Sequence, residues 1–374
     1  MTFVTGLAES GITLLIFAFM LFVLVVVHEL GHFVMARLAH VRVLEFGIGF
    51  PPRAKVLRSE GETMYTVNWL PLGGFVRLEG EDGDSEDPRS FGRARLPVKL
   101  IILVAGVAMN ALLALAIFTA IGWLPGQTGA LSFHEVQADS PAASIGLVAA
   151  AGDTTGDRIL AIDGQMFHDY DTPGQLVDVL RANAGKPVTL VVLHGDGSQD
   201  TVVVKLRDPA TLDSEHGPLG IVGTTFVPVA QSFTRTPLQA LQFGVDRTVW
   251  AFGLVTGGLG QLGDSIVNRP TQAPPLAGPV GIAVGVGDVF GQQGAIQTLF
   301  LAGILSANLA LVNLLPFPPL DGGRMLIIVI KSLVGTRLSV RAEQLTYLVG
   351  FAFLFALFAW VTFFDIARQL GAGQ

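Results

Sequence analysis

The chain has no cysteine, which excludes disulfides and thiolate metal ligands. A bound metal would have to be held by His, Asp, Glu or Asn. Charge is scarce too: 14% of the 374 residues, against about 25% in soluble domains. Hydrophobic residues make up 51%, and mean hydropathy is +0.57. That balance describes an integral membrane protein carrying a soluble part, long enough for two or three domains. No Lys or Arg precedes Arg37. Without a basic n-region or a small-residue cleavage site, the first apolar run reads as a retained span rather than a cleaved signal. Residues 130–230 carry thirteen acids against five bases, which argues against nucleic acid as a partner.

What is present is concentrated in the apolar run 12–36, as a helix about 37 Å long. Late in it stands His28-Glu29-Leu30-Gly31-His32. Ionisable residues at membrane depth are costly and mark function by default. His28 and His32 are four apart and share one helix face, the spacing that offers two imidazoles to zinc. Glu29 lies about 100° round the helix, placed to take a proton from a metal-activated water.

Basic residues are frequent from Arg37 to Lys99, so the positive-inside rule puts this loop in the cytoplasm and the N-terminus outside. Within residues 41–80, short apolar runs bounded by Gly and Pro predict β-hairpins, lying against the membrane or dipping into it. Residues 79–95 are charged and read as an exposed linker. Residues 98–124 predict a second span, which contains Gly106 and Asn110. A small residue four before an Asn allows close helix approach and an interhelical hydrogen bond. Whether Asn110 is only such glue or serves the site stays open at this level.

Residues 130–230 alternate turns with short strands and should be extracytoplasmic. Ser140-Pro141-Ala142, Gly146-Leu147, Gly156-Asp157-Arg158-Ile159 and Ile162-Asp163-Gly164 resemble a PDZ domain in order, with an unusual insertion at Val148–Thr155. Residues 174–184 read as its helix. Gly217, Leu219, Gly220 and Ile221 resemble the carboxylate-binding loop of a permuted PDZ domain, a groove for peptide C-termini. A domain that merely excludes bulky substrates fits the same residues.

Residues 237–290 predict amphipathic surface helices, with a break at Gly278-Pro279. A third span over 296–323 ends in Asn313-Leu314-Leu315-Pro316-Phe317-Pro318-Pro319-Leu320-Asp321-Gly322-Gly323. The prolines break the helix at membrane depth, where irregular backbone is tolerated only inside protein or beside a wet cavity. Asp321 supplies the carboxylate that a two-histidine zinc site needs, leaving one position for water. Residues 344–366 predict a fourth span. The first and third spans must run the same way for His28 and Asp321 to share a depth, so residues 124–296 cross an even number of times, most simply none.

These motifs together resemble the site-2 protease family of intramembrane zinc metalloproteases, of the bacterial RseP type. The resemblance covers nearly the whole chain. It implies that His28, His32 and Asp321 hold one zinc ion and that Glu29 is the catalytic base and acid. It also implies that Asn313 contacts substrate near the scissile bond, with Asn110 at the same site. Gly47, Gly49, Gly73 and Gly74 then belong to a membrane-reentrant β-element that pairs with an unwound substrate segment. The implied substrates are single-span membrane proteins already trimmed outside, such as anti-sigma factors and remnant signal peptides. The implied location is the bacterial inner membrane, with both termini and the PDZ-like domain outside and the active site near the cytoplasmic face. Two other classes fit parts of the sequence. An ion or proton transporter would need internal repeats and further polar spans. A silent PDZ scaffold would lack at least one of the four catalytic positions. The sequence has neither feature.

Overall fold

The protein is described here by a computed structural model, over residues 3–59, 61–81, 85–150, 155–168, 173–212, 216–269, 271–274, 276–334 and 340–369. It divides into two compact units. One comprises residues 1–121 and 239–374, the other residues 122–238.

The larger unit is helical with one β-element. Helix α1 (Phe3–Leu38) leads into β1 (Val43–Arg58) and β2 (Met64–Leu78), followed by α2 (Leu96–Trp123). Both strands are long enough to double back, so their pairing makes four parallel-lying segments. Residues 53–58 lie beside 64–68, residues 64–70 beside 45–50, and residues 74–78 on the far side of 43–48. Segment 74–78 is therefore an edge. Glu45, buried in this element, accepts from Arg53 at 2.8 and 2.9 Å and from Thr66 at 2.8 Å, so its charge is compensated. The stretch after β2 is not the exposed linker its charge suggests. Ser90 and Phe91 are buried, and Phe91 joins Val43, Leu78 and Ile102 in a core beneath the β-element. Charged neighbours mask one aromatic anchor, which sets the path of the segment.

The smaller unit contains β3 (Gly126–Ser132), β4 (Glu135–Val136), α3 (Pro141–Ser144), β5 (Arg158–Ile162), β6 (Gln165–His168), α4 (Pro173–Ala182), β7 (Pro187–Leu193), β8 (Gln199–Lys205), β9 (Ile221–Val222) and β10 (Thr225–Phe233). Six strands form one antiparallel sheet in the order β10-β3-β6-β5-β7-β8, while β4 pairs with β9. β7 alternates as a half-buried strand must, with Val188, Leu190 and Val192 inward. They pack with Leu131, Phe133, Ile159, Leu180 and Leu219. Residues 151–154 of the insertion read at Val148–Thr155 lie outside the described residues.

The chain then returns to the first unit with α5 (Pro237–Asn268), α6 (Pro279–Leu314), α7 (Asp321–Val334) and α8 (Val340–Gln369). α6 is broken at Gly294, whose φ of 82° and ψ of −171° leave the helical region, so a shorter helix precedes the apolar half. Gly278 caps α6 without a side-chain bond of its own. Asp365 of α8 serves instead, accepting from the N–H groups of Gly278 (3.2 Å) and Gly281 (2.8 Å). α7 is a helix that the Gly-Gly pair obscures in the sequence. It is amphipathic, and its Met325 and Ile328 pack on the core around Leu103.

Among the described residues, four helical segments are long and apolar enough to cross a membrane: Gly11–Leu38, Leu96–Trp123, Pro279–Leu314 and Glu343–Arg368. The chain is a multi-pass membrane protein with β-structure. α5 is not among these spans; its buried face, including Ala251, packs on Ala114 and Phe118 of α2 and Ala307 of α6. Met20 and Leu24 of α1 meet Val286 and Ala302 of α6. These contacts fix α1, α2 and α6 around one point.

Candidate metal centre and active site

That point is where His28, His32 and Asp321 converge, almost three hundred positions apart in the chain. Their ligand-type atoms all lie within 4.8 Å of one another. His28 Nε2 is 2.9 Å from Asp321 Oδ2, His32 Nε2 is 3.3 Å from the same oxygen, and the two Nε2 atoms are 3.2 Å apart. For zinc bonds of about 2.05 Å in a tetrahedron, ligand atoms stand about 3.3 Å apart. Three corners of such a tetrahedron are already in place.

The hydrogen bonding points the same way. His32 Nδ1 lies 2.8 Å from the carbonyl oxygen of Ile102, which can only accept, so Nδ1 carries the proton. The Nε2 of a neutral His32 is then a lone pair aimed at Asp321. Asp321 Oδ2 is buried without a hydrogen-bond donor. Lone pairs gathered in an apolar interior repel unless a cation binds them, so the residues fit a zinc ion.

Glycine explains how the elements come so close. A β-carbon on Gly31 would overlap the Ala105 carbonyl and stand 2.7 Å from Met109 Cγ, so α1 and α2 touch backbone to backbone there. A β-carbon on Gly106 would overlap His32 Nε2 and stand 2.9 Å from His28 Cε1. Gly322 and Gly323 lie equally tight on the carbonyls and backbone of Leu314–Pro318, which lets the chain turn from α6 into α7 with Asp321 at the start of the new helix.

The other residues singled out in the sequence fall in different places. Glu29 faces the β-element, and its Oε2 accepts from the Val76 N–H at 3.1 Å. Asn110 is fully buried, with Nδ2 3.2 Å from His28 Nδ1. It touches a candidate metal ligand from behind. Asn313 is partly buried in the last turn of α6, and no hydrogen bond links it to Glu29, His28, His32 or Asp321 among the described residues. Gly73 and Gly74 lie against α1, where a β-carbon on Gly73 would meet Val25 Cγ1 at 2.5 Å. Gly47 and Gly49 serve the β-element itself: Gly47 makes room for the Phe75 ring, and Gly49 has φ of 81° with its carbonyl bound by Asn68 Nδ2 at 3.0 Å. In the second unit the main chain of the 217–221 loop is engaged internally. Leu219 O accepts from the Ala142 N–H and Gly220 O from the Gln137 N–H, both at 2.9 Å, while Ile221 pairs with Val136.

Sequence reasoning did not identify Val76, Glu81 or Ile102. Val76 and Ile102 act through main-chain groups, which leave no trace in residue type. Glu81 accepts from the Leu78 N–H at 3.1 Å and pairs with Arg324 at 2.5 Å. A cavity of about 900 Å³ is lined by Pro319 and Arg324, which flank Asp321, together with Glu81, Lys99, Lys331 and Tyr347.

Residues 16–357 match the model of Peptidase family M50. A protein of Clostridium perfringens is 33% identical over 94% of this chain and 98% of its own length. Two proteins named zinc metalloprotease RasP are similar over comparable spans. That of Geobacillus kaustophilus is 28% identical over 92% of this chain and 95% of its own. That of Oceanobacillus iheyensis is 27% identical over 95% and 99%. With a family match that runs from the first membrane-length helix into the last, this chain belongs to Peptidase family M50, the site-2 protease family.

Proposed function

We propose that this chain is an intramembrane zinc endopeptidase that cuts the membrane-spanning segments of single-span proteins already trimmed outside the membrane. One observation carries the reading. Two imidazoles on a helix long enough to span a bilayer and a carboxylate at the start of α7 make three corners of a zinc site, with Glu29 next to the first ligand.

His28, His32 and Asp321 would hold the metal, and a zinc ion bound there would supply Lewis-acid polarisation of a water and of the scissile carbonyl. Glu29 takes the proton of the attacking water and delivers it to the leaving amine. Burial of His28 and His32 keeps bulk water off the reacting groups. Asn313 is placed eight residues before Asp321, as the resemblance requires of a substrate contact.

A helical substrate hides its peptide bonds in its own hydrogen bonds and has to unwind first. The edge segment 74–78 supports the reading that the unwound stretch adds as a strand, which replaces the lost backbone bonds. The 130–230 region is assigned as a PDZ-like domain outside the membrane, its Gly217–Ile221 loop taking peptide C-termini or its bulk turning away untrimmed proteins. Basic residues in the 37–99 segment favour the cytoplasmic side for the β-element, both termini outside, and the inner membrane of a bacterium as the location. Anti-sigma factors and remnant signal peptides are the substrate classes that follow.

Glu29→Gln tests the assignment. The variant should bind one zinc per chain and leave a transmembrane reporter intact, whereas His28→Ala should lose the zinc. Cutting by the Glu29→Gln protein would refute the mechanism.

A further inference from the structure

The edge of the β-element is closed by the chain's own carboxylates. Segment 74–78 bonds to residues 43–48 on one side. Successive residues of a strand point their N–H groups to opposite sides, so Gly74, Val76 and Leu78 share the other one. The Val76 N–H goes to Glu29 Oε2 and the Leu78 N–H to Glu81 Oε2, both at 3.1 Å. Glu81 is tied in turn to Arg324, three residues beyond Asp321. Gly73 and Gly74 let this edge lie directly on the turn of α1 that carries Glu29: a β-carbon on Gly74 would be 3.9 Å from Glu29 Cγ.

An exposed edge has to be covered, and here the cover at Val76 is the residue that has to face the scissile bond. An incoming extended backbone offers carbonyl oxygens at alternate positions along the same edge. One of them requires the Val76 donor. A single N–H makes one good hydrogen bond, so the arriving carbonyl and Glu29 compete for it.

We propose that the Glu29–Val76 hydrogen bond is a resting cap, and that a substrate carbonyl replaces it when the substrate strand adds to the edge. Glu29, released, turns to the attacking water. Strand addition and readiness of the base are thereby one event, and a peptide that reaches the metal without pairing finds Glu29 still engaged. The inference rests on the strand-addition reading above.

The test uses the zinc-loaded full chain in nanodiscs and a series of quenched fluorogenic peptides with one scissile bond. The peptides grow from three residues to lengths that run along the whole edge. The cap predicts a rise in kcat of at least about tenfold, the weight of one charged hydrogen bond, at the length that first supplies a carbonyl to Val76. A kcat that stays level while KM alone falls with length would overturn it. Cutting of no peptide of any length would instead sink the zinc-protease reading itself. A second arm removes the donor with Val76→Pro. Its kcat on the short peptides should climb toward that of the long ones, while KM for the long ones rises. If kcat falls on short and long peptides alike with zinc content intact, the bond merely orients Glu29 and the cap is refuted. Should Val76→Pro fail to fold, the length series on the unaltered protein decides alone.

Discussion

Gly106 of α2 lies flat against the ring of His32, so close that a β-carbon on it would overlap Nε2 and stand 2.5 Å from Cε1. The helix that packs behind the candidate metal centre thus has a notch where the two imidazoles sit. The nearest obstacles are ring atoms held by their own hydrogen bonds, not the free end of a flexible chain, so neither ring can give way cheaply.

Gly106→Ala should therefore dislodge His32 without unfolding the helices. Overpacking of this kind costs about 1–3 kcal/mol, too little to break up a bundle. It shifts a ligand by more than the few tenths of an ångström a metal site tolerates. Zinc per chain, measured by mass spectrometry after purification, should fall well below one, with helix content by circular dichroism unchanged. Full zinc occupancy in the variant would contradict this account of the notch.

Asn110 prompts a second prediction. For His28 to offer Nε2 to a metal, its proton has to sit on Nδ1, as it does in His32. The group facing Nδ1 must then accept. Asn110 presents Nδ2 there, while its Oδ1 is buried with no partner. A half-turn of the amide brings Oδ1 to the Nδ1 proton. Asn110→Leu removes the acceptor and should weaken zinc binding by about 10–100-fold, the usual effect of losing such a partner. Asn110→Asp keeps an oxygen and should stay close to the parent. Competition against a chelator reads both. If Asp fails as badly as Leu, Asn110 acts through helix packing and not through His28.

Much of this was legible in the residues. HELGH carries its spacing on its face, and the carboxylate after Asn313 was the natural third ligand for a chain without cysteine. The four apolar spans and the break at Gly278 follow from composition and from helix-breaking residues. What stayed hidden is long-range or main-chain. Nothing local says that Gly278 and Gly281 will be capped by Asp365, more than eighty residues on. α7 was missed because Gly322 and Gly323 read as the end of the third span, yet each is there for a close backbone approach at the start of a separate helix. The buried Phe91 was lost among charges. The Val76 N–H has no sequence signature at all, since every residue but proline has one.

The last prediction concerns the second unit. His194 lies between two carboxylates, with Nδ1 2.9 Å from Asp157 Oδ1 and Nε2 3.3 Å from Asp200 Oδ2. Asp157, buried, also holds the Val148 N–H at 2.9 Å. The hydrogen bond to Asp157 raises the imidazole's pKa above its ordinary value near 6.5, with Asp200 adding to it. A pKa raised by folding means that the charged form favours the fold. The stabilisation is whole below about pH 6.5 and fades as pH climbs through the raised value. In the full chain the Cε1 proton of His194, identified by its loss in His194→Gln, should titrate by NMR with a midpoint above 6.5. Asp157→Asn should bring that midpoint down. Urea resistance of this unit should drift lower as pH rises through the midpoint, and His194→Gln should flatten the drift. A midpoint at or below 6.5 would mean that the imidazole is held as an uncharged hydrogen-bonding bridge, with no pH dependence to lose.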